Sequence, residues 1–135
     1  MRMAVVSSPR VGNTWVRSVL GSALQLDQIA VHDPDDLPAT LPENCLLQLH
    51  WYREPHFQAF LKRERFQVVT ISRHPLDLLL SILHFCRREP ETARWLGGNG
   101  ELPDTLRSAS PASDVFRKWA LGRGVENLLG ISYQW

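Results

Sequence analysis

Apolar residues along this chain fall in short blocks that alternate between two spacings. Met3 to Ser7 is a β-branched run closed by Pro9, and from Thr14 onward Trp15, Val16, Val19, Leu20 and Leu24 recur at helical intervals. The pattern predicts strand, turn, helix. Leu26 to Asn44 holds three of the nine prolines and an aspartate cluster, and reads as an irregular connection around a short strand. Cys45 to Leu49 is a second strand that ends at His50. Pro55 to Arg65 then suits a short helix with Phe57, Phe60 and Leu61 inward and a solvated basic end.

Phe66 to Ser72, FQVVTIS, is the most strand-like stretch of all, with the composition of a strand buried on both faces. After His74-Pro75 the spacing turns helical again, and Leu76, Leu79, Leu80 and Leu83 form one face, with Pro75 in the first turn. Gly97 to Pro111 is rich in glycine, proline and serine and reads as a surface loop. A helix capped by Ser113 or Asp114 follows, and Glu126 to Trp135 suggests another. Strands alternating with helices predict an α/β fold: a parallel sheet flanked by helices.

Composition narrows the class further. A chain of 135 residues with 44% hydrophobic content is sized for a single domain spanning residues 1–135. Fifteen basic against fourteen acidic residues leave a net charge of +1, so no global field recommends nucleic acid or an anionic membrane. Any anion site has to be local. Cys45 and Cys86, the two cysteines, match no zinc or redox spacing, and a reducing, cytoplasmic setting is the expectation. No stretch reads as a signal peptide or a membrane span.

In parallel sheets ligands bind beyond the carboxyl ends of the strands, where the turn SSPRVGNTW sits. Gly12 lets backbone N–H groups approach an anion, and the helix start adds the positive end of its dipole. Ser8, Asn13 and Thr14 bring side-chain donors, and Arg10 a full charge. The competing reading is an ordinary strand-to-helix connection capped at Asn13 or Thr14. The turn lacks the lysine of a GxxxxGK[ST] loop, and the later strand ends in Ser72-Arg73 rather than a metal-binding aspartate. An anionic nucleotide handled without a metal is the consequence.

SSPRVGNTWVR resembles the 5′-phosphosulfate loop of sulfotransferases that use 3′-phosphoadenosine 5′-phosphosulfate, with Val11 where the family commonly has serine. VVTISRHPLDLLLSILHF is similar to the same family's 3′-phosphate segment, and Arg73 and Ser81 occupy its arginine and serine positions. Between the two, Gln48-Leu49-His50 stands where the family has Lys-Thr-His. SDVFRKWALGRGVENLLGISYQW matches the helical region beyond more loosely. The resemblance implies a three-layer sandwich like that of P-loop nucleotide hydrolases, here incomplete. The family's Tyr-Glu strand and its Gly-rich basic segment are not in this sequence, so the chain is expected to be the N-terminal portion of a longer enzyme.

The same resemblance implies the chemistry. Sulfuryl transfer would run from 3′-phosphoadenosine 5′-phosphosulfate to a hydroxyl or amine on a small-molecule or glycan acceptor, with no metal. His50 and Arg10 would be catalytic, and Arg10, Val11, Gly12, Asn13, Thr14, Trp15, Arg73 and Ser81 would bind the donor. Trp15 is also expected to pack in the core. A non-catalytic module that keeps part of the donor site is the alternative, and a magnesium-dependent nucleotide kinase is disfavoured by the missing lysine and acidic positions. A homodimer is the one protein partner expected. Taken singly, a strand-end histidine is usually structural, and so are a turn arginine and a helical serine; their shared order and spacing set these three apart.

Overall fold

The structure, a computed structural model, describes residues 1–89 and 135. It contains two compact units, Met1–Ser72 with Ile131–Trp135, and Arg73–Gly130. The Gly97 to Pro111 loop, the helix after Ser113 and the helix of Glu126 to Trp135 lie outside the described residues, apart from Trp135 itself.

The first unit runs β1 (Arg2–Val6), α1 (Asn13–Ala23), β2 (Asp27–Ala30), a 3-10 turn (Pro34–Asp36), β3 (Cys45–Leu49), α2 (Pro55–Arg63) and β4 (Phe66–Val69). The strands form one sheet in the order β2-β3-β1-β4, and every pair is parallel. From the middle of that sheet the chain leaves β1 toward β2, and leaves β3 in the other direction toward β4. Crossovers of one hand that run in opposite directions put their helices on opposite faces.

The cores confirm this. Ala4, Val6, Leu47 and Leu49 pack with Phe57 and Leu61 of α2, while Val5 and Leu46 on the other face meet Leu26 together with Val16 and Leu20 of α1. Alternation along β1 and β3 therefore divides their side chains between two helices. All five residues of β3 are buried, which makes it, and not the β4 stretch, the strand enclosed on both faces. β4 is shorter than the sequence suggests, pairs among the described residues with β1 alone, and leaves Val68 40% exposed.

The amino-terminal edge of the sheet is closed by Arg2. Its guanidinium donates to the carbonyls of Pro42 and Leu41 at 3.0 Å each and pairs with Glu64 at 2.7 Å, which gathers the connections that lead into β3 and β4. Gly21 leaves room for the Gln28 side chain of β2 to lie against α1, since a Cβ there would lie 2.6 Å from its amide nitrogen. Both cysteines are buried as free thiols, and burial pushes the Cys45 thiol up, away from the reactive thiolate.

In the second unit the described element is α3 (Pro75–Arg88), with Pro75 in its first turn, Asp77 near its positive end and Arg87 and Arg88 near its negative end. Its buried residues are Leu78, Ile82, Leu83 and Cys86, while Leu76 and Leu80 are exposed. The face expected from Leu76, Leu79, Leu80 and Leu83 is thus rotated. Asp77, Ser81, His84 and Arg88 recur at helical spacing as one polar stripe, and the buried residues lie opposite it, with Leu76 and Leu80 at its margin. Among the described residues no helix is long and apolar enough to cross a membrane.

Candidate functional site

The exits of β1 and β3 are adjacent, because Val6 is in register with Leu49. That places the turn Ser7 to Gly12 beside His50. Ser7 and Ser8 are fully buried, so the turn begins inside the protein and emerges at Arg10, which is exposed. Two residues turn the chain through left-handed backbone: Arg10 at φ 66° and Gly12 at φ 106°. Left-handed geometry is costly for arginine and cheap for glycine, and the pair swings the chain from the strand into α1.

Gly12 occupies the position before α1, and its carbonyl accepts the first helical hydrogen bond, from Val16 N–H at 3.1 Å. The N–H groups of Asn13, Thr14 and Trp15 precede that first bond, so the helix itself gives them no acceptor. Gly12 has no side chain to cap this end, and no acidic residue stands in the first turn. A Cβ at Gly12 would meet nothing within 4 Å, so the space over the turn is open. Backbone donors and a dipole end gather there, two residues beyond the exposed Arg10, a set suited to an anion.

His50 is oriented by the turn itself. Its Nδ1 lies 2.7 Å from the carbonyl oxygen of Ser7. A carbonyl only accepts, so Nδ1 carries the proton and Nε2 keeps a free lone pair in the neutral ring. Asn13 Nδ2 is 3.4 Å from the same Nδ1, but it donates to the Ser8 carbonyl at 2.8 Å, and two donors do not bond each other. The Asn13 amide thus braces the turn from within, and Asn13 is only 4% exposed. Burial holds His50 below the ordinary histidine pKa of 6.5; the hydrogen bond to Ser7 opposes this and the neighbouring His32 adds to it. The ring is neutral at pH 7.

Ser7 also serves β4. Its Oγ accepts the Ile71 N–H at 2.6 Å, just past the end of that strand. One serine therefore joins the exits of three strands. Neither this role nor that of His32 is read from the sequence motifs. The ring of His32 stacks on His50 at a centroid distance of 6.1 Å. Ala30 is in register with Gln48, and two further steps bring His32 opposite His50. Collecting the residues just past each strand of a parallel sheet would have found both.

The other expected site residues are placed as follows. Val11 is half-buried and Thr14 exposed, both on the turn. Trp15 is 70% exposed, which corrects its expected place in the core; Val16 and Leu20 fill that side of α1 instead. Gln48 is buried on the same face of β3 as Leu46, and among the described residues its Oε1 has no hydrogen-bond partner. Arg73 and Ser81 belong to the second unit, Arg73 exposed just before α3 and Ser81 half-buried within it. Among the described residues no group of three or more histidines, cysteines or carboxylates could hold a metal. Comparison of the chain with family models, with curated proteins and with solved structures gives no match.

Proposed function

We propose that this chain binds the 5′-phosphosulfate end of 3′-phosphoadenosine 5′-phosphosulfate on the Ser7 to Trp15 turn, and that His50 is the base for sulfuryl transfer to a hydroxyl or amine acceptor. One observation carries the reading: a histidine with its Nδ1 tied to Ser7 stands beside a helix start that opens on Gly12 and is reached through an arginine turn. Anion donors and a proton acceptor are what the two halves of such a transfer require.

In this scheme the helix-start N–H groups and Arg10 hold the phosphosulfate oxygens. His50 Nε2 takes the proton of the acceptor as the acceptor's oxygen or nitrogen forms its bond to sulfur. The sulfur-to-phosphate oxygen bond breaks and adenosine 3′,5′-bisphosphate departs with the electron pair. Ser7 stabilises the resulting imidazolium through its carbonyl, without a change of tautomer. The exposed ring of Trp15 offers a stacking surface for the adenine. Arg73 and Ser81 are assigned to the 3′-phosphate on the sequence resemblance.

Isothermal titration with adenosine 3′,5′-bisphosphate tests the donor site. Binding is expected in the wild type, about tenfold weaker or more in Arg10→Ala, because a charge-assisted hydrogen bond contributes about 1.5–3 kcal/mol. His50→Ala should bind the nucleotide within about twofold of the wild type, since Nε2 serves the acceptor. Absence of heat at millimolar nucleotide rejects the donor site, and loss of binding in His50→Ala rejects the base.

A further inference from the structure

Leu49 is the last residue of β3 and α2 begins at Pro55, so His50 is the first residue of a five-residue segment without regular structure. Local bonds shape that segment: Glu54 N–H donates to the Tyr52 carbonyl at 2.9 Å, and the Trp51 indole N–H to Glu54 Oε2 at 3.2 Å. Among the described residues two longer hydrogen bonds tie it to the unit. His50 donates to Ser7, as described. Trp135, far along the chain, donates its indole N–H to the carbonyl of Trp51 at 3.1 Å.

The Trp135 ring is held where it can do this. It meets the fully buried Phe57 of α2 edge-on at a centroid distance of 5.7 Å, and packs with Trp51 and Phe60 against the core of Ala4, Val6, Leu47 and Leu49. A large rigid ring packed against that core fixes its N–H in direction as well as place. We infer that Trp135 is a positioning residue for His50: its bond to Trp51 clamps the strand exit one residue beyond the histidine, so that the imidazole stays seated on Ser7.

The role of His50 as a base rests on the sulfuryl-transfer reading; the clamp rests on geometry alone. Without the clamp the segment swings outward and Nδ1 leaves Ser7; the ring gains water, which favours the charged form and, burial being the larger cause, outweighs the loss of that bond. His32 is the titratable ring that faces His50, and its charge opposes protonation there. Trp135→Phe keeps an aromatic ring against Phe57 but removes the N–H donor. Trp135→Ala removes both.

Nitrogen-15 NMR of the histidine rings across a pH titration decides the matter. In Trp135→Phe the His50 midpoint is expected to rise by about half a unit or more toward the ordinary value, with a smaller fraction of the Nδ1–H tautomer. Trp135→Ala should shift further if it folds. A His50 midpoint and tautomer unchanged in Trp135→Phe, with only the melting temperature lowered, overturns the proposal. Failure of the nucleotide titration leaves this measurement untouched, so the two readings fail separately.

Discussion

Gly12→Ala isolates the torsional cost of the anion turn. Gly12 stands at φ 106° and ψ 18°, beyond the small left-handed region open to other residues. A Cβ there meets no atom within 4 Å, so crowding contributes nothing and the cost is that of the backbone alone. Such a conformation costs L residues about 1–3 kcal/mol, offset by the roughly 0.4–1 kcal/mol that alanine returns by restricting the unfolded chain. The expected net is a loss of about 1 kcal/mol, or about 4 °C in Tm for a chain of this size. D-alanine fills the same empty space with torsions natural to its mirror image, and should gain about 0.4–1 kcal/mol instead. Cys45 supplies a junction for joining a synthetic peptide of residues 1–44 to the rest of the chain. Urea unfolding of the two ligated proteins reads the difference. If the L-alanine protein is as stable as the D-alanine one, the left-handed turn is not a constraint and the proposed aim of its N–H groups loses its basis.

Two further expectations concern the histidine and its serine. Because the folded pKa of His50 is lowered, the unfolded chain takes up that proton first as pH falls; its contribution to stability is complete above about pH 6.5 and is lost as pH drops toward the folded value. His50→Gln should flatten that part of the stability-against-pH curve in denaturant melts, and parallel curves for variant and wild type would contradict the assigned burial. Ser7→Ala removes the acceptor of the Ile71 N–H and should cost about 1–3 kcal/mol. Hydrogen exchange at the Ile71 amide should quicken in the same variant; unaltered protection would show that the bond to Ser7 does not hold the β4 exit.

Much of the frame was legible because local signals agreed with one another. Pro9 and Gly12 punctuate the first strand and helix, Pro55 opens α2, and Phe57 and Leu61 point inward as their spacing predicts. What failed was the choice between apolar residues that compete for one core. Trp15 and Val16 are neighbours on the same helix, and only the position of the sheet decides that Val16 faces it. The composition of FQVVTIS is that of a central strand, yet strand order places β4 beside β1 alone among the described residues, and composition carries no strand order. The candidate site divides in the same way. His50 and the turn are visible as motif positions, whereas the Ser7 carbonyl belongs to the main chain and has no letter of its own. His32 meets His50 through register alone, across a pairing of distant segments.

The strand order also sets a schedule for synthesis. β1 is made first, yet it lies inside the sheet and pairs with β3 and β4, whose residues begin at Cys45 and Phe66. About 40 residues, roughly 2–8 s at ribosomal speed, separate the appearance of Ala4-Val5-Val6 from that of its first partner. During that interval an apolar strand with two unsatisfied edges leaves the ribosome alone, a form that favours association with other chains. A slower passage through the proline-rich stretch before Cys45 would lengthen this exposure, and a chaperone that recognises short aliphatic segments would find its ligand there before the fold exists.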